Sequence, residues 1–287
     1  MRKTAVLVGL CATLYCQEHR TDPTFLRRSL SSAKEQPADV TSPTCHYKPL
    51  FGAGDPDHAA LRGVARYGEA VVDPRGSGTL ARYPGEEQIY VVLEGSGVLH
   101  YDAERHPLKK NDYFYLPPGI PHRMENAAAE PLRVLIMGYR VPDALKGAAP
   151  ASLQIANIDD VPKQTVGGHP PSTQYRLLMG DVSSKRDRLA CARVVTSLFV
   201  MEFTPGGTNI PHHHEDEEEI YLVLDGHGDM VAGGGMDGIE GRFTSWPGDA
   251  WFFRLNCTVG FYNNGAPSAP ARILAVRSRF PGRSLDN

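Results

Sequence analysis

Apolar residues in this chain come in short runs bounded by Gly, Pro, Asn and Asp, and almost nowhere at helical spacing. The runs predict strands over 64–72, 88–93, 97–101, 113–116 and 133–139. A second set follows over 193–203, 219–224, 228–232, 250–254 and 272–279. They are rich in Val, Ile, Leu, Tyr and Phe, the residues that suit a pleated, buried surface. The one helical expectation is a short turn near 142–146. Residues 17–44 are polar, contain Ser and Pro, and have no period, so they read as an extension.

The two sets repeat each other. Gln88-Ile-Tyr-Val-Val-Leu-Glu-Gly-Ser-Gly97 matches Glu219-Ile-Tyr-Leu-Val-Leu-Asp-Gly-His-Gly228, and Asn111-Asp-Tyr-Phe-Tyr-Leu-Pro117 matches Gly248-Asp-Ala-Trp-Phe-Phe-Arg254. Between these blocks the second copy is longer by a glycine-rich loop over 232–238. A period of about 130 residues is that of a duplicated domain, not a solenoid unit. The expected fold is therefore all-β, with two tandem barrels behind an N-terminal extension. The boundaries read as an extension over 1–44, a first domain over 45–145, a connector over 146–184 and a second domain over 185–281.

Composition agrees with this picture. The chain has 287 residues, 29 Gly and 23 Pro, which suits many strands joined by tight turns. A net charge of −3 carries no signature of nucleic-acid binding. The five cysteines include no CxxC pair, so neither a cysteine zinc site nor a disulfide framework is expected. No apolar run is long enough to span a bilayer. At the N-terminus, Arg2-Lys3 before an apolar stretch resembles a secretory signal. The basic, Ser-rich Arg27-Arg28-Ser29-Leu30-Ser31-Ser32 gives the rival reading of an organelle presequence, and an unprocessed disordered tail on a cytoplasmic protein is the third.

The candidate chemistry lies in the second copy. Residues two apart on a strand share a face, so His212 and His214 point together while His213 points away. Glu219 opens the next strand. If that strand pairs antiparallel with the one carrying the histidines, two imidazoles and a carboxylate meet on one face. Such a set suits one divalent transition metal, Fe, Mn, Zn, Ni or Co, with positions left open. The rival reading is a solvated turn of three histidines and four acids, Glu215 to Glu218.

These motifs resemble the cupin superfamily, over roughly residues 60–280. Gly206, His212, His214, Glu219 and Gly226 fit the family's first motif. The second motif is weak in this copy: Gly248 and Asn263 stand at its ends, but Arg254, Asn256 and Val259 replace its Pro, Gly and His. The first copy is the reverse. Pro117, Gly119, His122 and Asn126 follow the second motif, with Asn111 in its Gly position, whereas Ala81, Tyr83 and Gln88 occupy the first motif's ligand positions. The resemblance implies a bicupin that binds one metal in its second barrel and acts on a small organic acid, phenol or sugar derivative. Dioxygenase chemistry ranks first. Metal-dependent decarboxylase, isomerase or aminohydrolase chemistry and non-catalytic binding are the alternatives. Expected pocket walls are Tyr221, Trp251, Phe253, Phe261 and Arg254, with Arg254 able to pair with a carboxylate. A second, polar pocket is expected at Tyr83, Gln88 and His122. Bicupins often associate through barrel edges, so a homo-oligomer stays open.

Overall fold

A computed structural model describes residues 24–234, 240–265 and 269–281. The signal-like leader and most of the 232–238 loop lie outside the described residues. β1 (Phe25–Ser29) precedes β2 (Cys45–Gly52), β3 (Val64–Val72), β4 (Glu86–Glu94), β5 (Ser96–Tyr101), β6 (Glu104–Lys109), β7 (Asp112–Leu116), β8 (His122–Glu125), β9 (Leu132–Arg140) and β10 (Gln154–Asn157). The second half holds β11 (Thr173–Asp181), β12 (Leu189–Ala192), β13 (Val195–Phe203), β14 (Glu217–Asp225), β15 (Gly228–Gly233), β16 (Glu240–Ser245), β17 (Asp249–Phe253), β18 (Thr258–Tyr262) and β19 (Ala271–Arg279). The predicted helical turn is a single 3-10 turn, Asp143–Leu145. Among the described residues no helix is long and apolar enough to cross a membrane.

Each half is a large sheet facing a small one. The first pairs the sheet β10-β7-β4-β9-β3-β2 with β6-β5-β8; the second pairs β1-β17-β14-β19-β13-β11-β12 with β16-β15-β18. The strand runs are continuously apolar because both faces of each large sheet are buried. On β4, Tyr90 and Val92 point into the first barrel while Ile89 and Val91 point to the core between barrels. On β14, Tyr221 and Val223 point into the second barrel, and Ile220 and Leu222 meet the first. One shared apolar layer thus joins the two large sheets back to back.

Two buried carboxylates cross that layer in opposite directions. Glu87 on β4 accepts backbone N–H bonds from Arg193, Val194 and Val195 (2.6, 3.0 and 2.9 Å) and the Tyr115 hydroxyl at 3.1 Å. Glu218 on β14 accepts from the N–H groups of Arg62 and Gly63 at 2.9 and 2.8 Å. Each acid thus caps the chain entering β13 or β3 of the opposite barrel. Burial pushes both carboxyls above the usual range, and the amides they accept pull the other way.

The stretches read as extension and connector also carry strands. β1, from the extension, pairs with β17 of the second barrel, taking the edge that β10 takes on β7 in the first. β11, within 146–184, lies against β13 in the second barrel's large sheet. These strands are short or rich in polar residues, so their apolar pattern is faint.

Candidate metal centre

The site is built where the chain approaches β14. After a turn at Gly206-Gly207, an extended segment runs beside β18. His212 exchanges two backbone hydrogen bonds with Val259, at 3.0 and 2.8 Å. The histidine segment therefore belongs to the small-sheet side. The expected pairing with the Glu219 strand does not form, because β17 and β19 occupy both edges of β14. The three residues still converge, from two sheets instead of one hairpin. Potential ligand atoms of His212, His214 and Glu219 all lie within 4.8 Å of one another. His213 points outward and is exposed.

Local chemistry sets the histidines for coordination. Ile210 holds a left-handed φ of 54°, strained for a β-branched residue. That turn aims its carbonyl at His212 Nδ1, 2.9 Å away, so Nδ1–H donates there and Nε2 keeps its lone pair. Burial pushes the His212 imidazolium toward the neutral, ligating form. His214 Nε2 lies 3.3 Å from Glu219 Oε2. Both atoms are buried without a hydrogen-bond partner among the described residues. Buried polar atoms are rarely left this way, and a divalent cation between them satisfies both. The donor set thus fits the metal expected from the spacing.

A cavity of about 90 Å³ opens beside the three residues, lined by Tyr175, Phe199, Met201, Tyr221 and Arg277 among others. Arg277 sits opposite Glu219 in the β14–β19 register. Its Nη1 is 3.2 Å from Glu217, its Nε is 3.9 Å from Glu219, and Nε has no hydrogen-bond acceptor among the described residues. Burial works against its charge, but Glu219 and Glu217 outweigh that and hold it protonated. Arg277, Tyr175 and the rim residue Arg186 were absent from the sequence reading, since no motif spacing marks them.

The other expected walls lie elsewhere. Tyr221 lines the cavity, but Trp251, Phe253 and Phe261 are packed within the second barrel's core. Arg254 donates its backbone N–H to the Thr24 carbonyl, and its charge acts on Glu218 at the barrel–barrel contact. His227 stacks on Trp246, with ring centroids 4.5 Å apart.

In the first barrel, Tyr83 and His122 face each other with ring centroids 5.7 Å apart, but protein groups fill the space around them. His122 Nδ1–H donates to the Ile120 carbonyl, and Nε2 accepts from the Tyr90 hydroxyl at 2.9 Å. The Arg66 guanidinium covers the Tyr83 ring, and Gln88 donates to Glu86. His100 turns outward onto Glu125. Both barrels use the same Ile-Pro-His step, at 120–122 and at 210–212, but on opposite strands of equivalent pairs: His122 faces Ala81, and His212 faces Val259.

Burial, helped by the charge of Arg66, pushes the His122 imidazolium down to about 4. Above pH 6.5 the residue is neutral whether folded or unfolded. As pH falls from there toward 4, only the unfolded chain takes up the proton. Stability is lost across that window, by about 3 kcal/mol, and levels off below it. Urea unfolding at stepped pH is expected to show this loss in the parent and a shallower slope in His122→Gln. Parallel slopes would rule it out.

The cupin-domain family pattern matches residues 68–138 and 199–277, one match in each barrel. The chain is a bicupin of the cupin superfamily. An uncharacterised protein of Methanocaldococcus jannaschii is 43% identical over 72 residues, 25% of this chain, and the match spans 57% of that relative's length. Among solved structures, protein YlbA of E. coli aligns with a TM-score of 0.67 at 16% identity, covering 92% of the bicupin and 95% of that chain. Oxalate decarboxylase of Lactobacillus farciminis, solved as a formate complex, aligns with a TM-score of 0.66 at 14% identity, covering 89% and 86%. At these identities the likeness is one of fold.

Proposed function

We propose that the second barrel is the mononuclear metal centre of an enzyme acting on a small organic acid, by decarboxylase-, isomerase- or aminohydrolase-type chemistry. The observation that carries this reading is the convergence of His212, His214 and Glu219, with ligand atoms within 4.8 Å of one another and two of them buried without a hydrogen-bond partner among the described residues. These three residues would hold one divalent metal, which supplies a Lewis acid for a substrate oxygen. Arg277 adds a fixed positive charge beside them, and its planar guanidinium matches a carboxylate. Phe199 and Met201 form apolar wall, which strengthens such a charge pairing by excluding water. The small cavity favours short acids over sugars or polycyclic phenols.

Oxygen-dependent chemistry, ranked first on resemblance alone, has no feature of this cavity in its favour. A carboxylate-directed reading has Arg277. The test is to load untagged protein with Mn(II), Fe(II), Co(II), Ni(II) or Zn(II) and incubate it anaerobically with a panel of short mono- and dicarboxylic acids. Released carbon dioxide, ammonia or isomeric acid is followed. Anaerobic turnover of at least one acid is expected. Turnover only with matched oxygen uptake would return the protein to the dioxygenase class, and binding without turnover would make it a non-catalytic bicupin.

A further inference from the structure

The loop that leads into the second barrel carries a histidine that no cupin motif includes. His169 lines the same cavity as His212, His214 and Glu219. Its ring centroid is 5.2 Å from that of His212, and the His212–His214 centroids are 4.9 Å apart. Imidazole nitrogens sit about 2.1 Å from a bound metal, and the ring centre lies roughly 1 Å further out. Two imidazoles in neighbouring positions on one ion therefore hold their centroids about 4.5–5.2 Å apart. The His169–His212 spacing falls at the tetrahedral end of that range.

The support of His169 is built like that of His212. Its Nδ1 is 2.7 Å from the Asn209 carbonyl, the residue immediately before the one that holds His212. Asn209 is itself fully buried and fixed: its amide donates to the Tyr221 hydroxyl and accepts from the Phe261 N–H. Two consecutive carbonyls thus orient two imidazoles, and each keeps a free Nε2 lone pair. His169 Nε2 has no hydrogen bond among the described residues. The position that carries the fourth ligand in the family's motif is Val259, which cannot coordinate.

We propose that His169 is the fourth protein ligand of this metal centre, delivered by the inter-barrel loop in place of the missing motif histidine. The proposal rests on the metal reading above. His169 stands outside the group whose atoms fall within 4.8 Å, so coordination requires the loop to shift inward. Its sequence suits that movement. Gly167 and Gly168 precede the histidine, Gly168 already in a left-handed turn at φ 84°, and a Cβ on either would meet nothing within 4 Å. Pro170-Pro171 follow and stiffen the return to β11. The Gln164–Tyr175 bridge closes the loop at its base.

The experiment uses full-length, untagged, metal-stripped protein titrated with Co(II) against a chromophoric chelator. The ligand-field spectrum reports coordination, and X-ray absorption counts imidazoles. The parent is expected to show three imidazoles. His169→Ala and His169→Gln are expected to show two, with Co(II) affinity lower by at least the roughly 10–100-fold that losing even an outer-shell partner costs, and with unchanged far-UV circular dichroism. A parent with two imidazoles, and variants with its affinity and spectrum, would overturn the role of His169 while leaving the metal centre standing. A parent that binds no Co(II) would overturn both.

Discussion

Replacing His212 and His214 together with alanine is expected to leave the second barrel folded and empty of metal. Both histidines lie on an extended segment at the cavity, not in the apolar core, so their loss removes little packing. Binding energies at protein zinc sites are on the order of 10 kcal/mol, shared among a few ligands. Losing two ligands then costs several kcal/mol, roughly a thousandfold or more in affinity. Elemental analysis of protein purified without a chelating tag or resin gives the readout. The parent should carry close to one equivalent and the double variant only background. His122→Ala is the matched control: its imidazole is committed to Ile120 and Tyr90 in the other barrel, so metal content should not change. Equal metal in parent and double variant would end the metalloenzyme reading.

The second large effect is expected far from the metal. Glu87→Ala removes the acceptor from three consecutive backbone N–H groups, those of Arg193, Val194 and Val195, in a fully buried place. Unpaired buried donors cost about 1–3 kcal/mol each, and breaking a buried charged network about 3–5 kcal/mol in total. For a chain of this size that corresponds to a melting temperature lower by roughly 10 °C. Glu87→Gln keeps an acceptor oxygen and should lose less. Calorimetry on the three proteins orders them parent, Gln, Ala. A Glu87→Ala protein that melts with the parent would show that the carboxylate does not tie the barrels together.

The duplication was legible in the sequence because strands buried on both faces leave unbroken apolar runs, and 88–97 and 219–228 are such runs. The candidate metal ligands were legible because His212, His214 and Glu219 lie within eight residues of one another, and their order alone suggests a shared ion. What stayed hidden depends on register. Arg277 meets Glu219 only because β19 pairs with β14 in one particular alignment, which no local pattern prints. His169 sits in a loop whose place over the cavity is set by the β11–β13 pairing and the Gln164–Tyr175 bridge. Trp251, Phe253 and Phe261 have the composition of a binding wall but face into packed core, and composition cannot tell the two apart. Strand β1 leaves no sequence signal because Leu-Arg-Arg-Ser offers almost no apolar alternation.

That small strand binds the history of the chain to its geometry. A segment upstream of the first barrel closes the edge of the second, so neither half is an interchangeable module. A gene fragment beginning after residue 160 would encode a barrel with the open side of β17 exposed, its unpaired amides and carbonyls ready to recruit another molecule. Cutting or shuffling this protein at its apparent midpoint would therefore yield sticky fragments instead of two working parts.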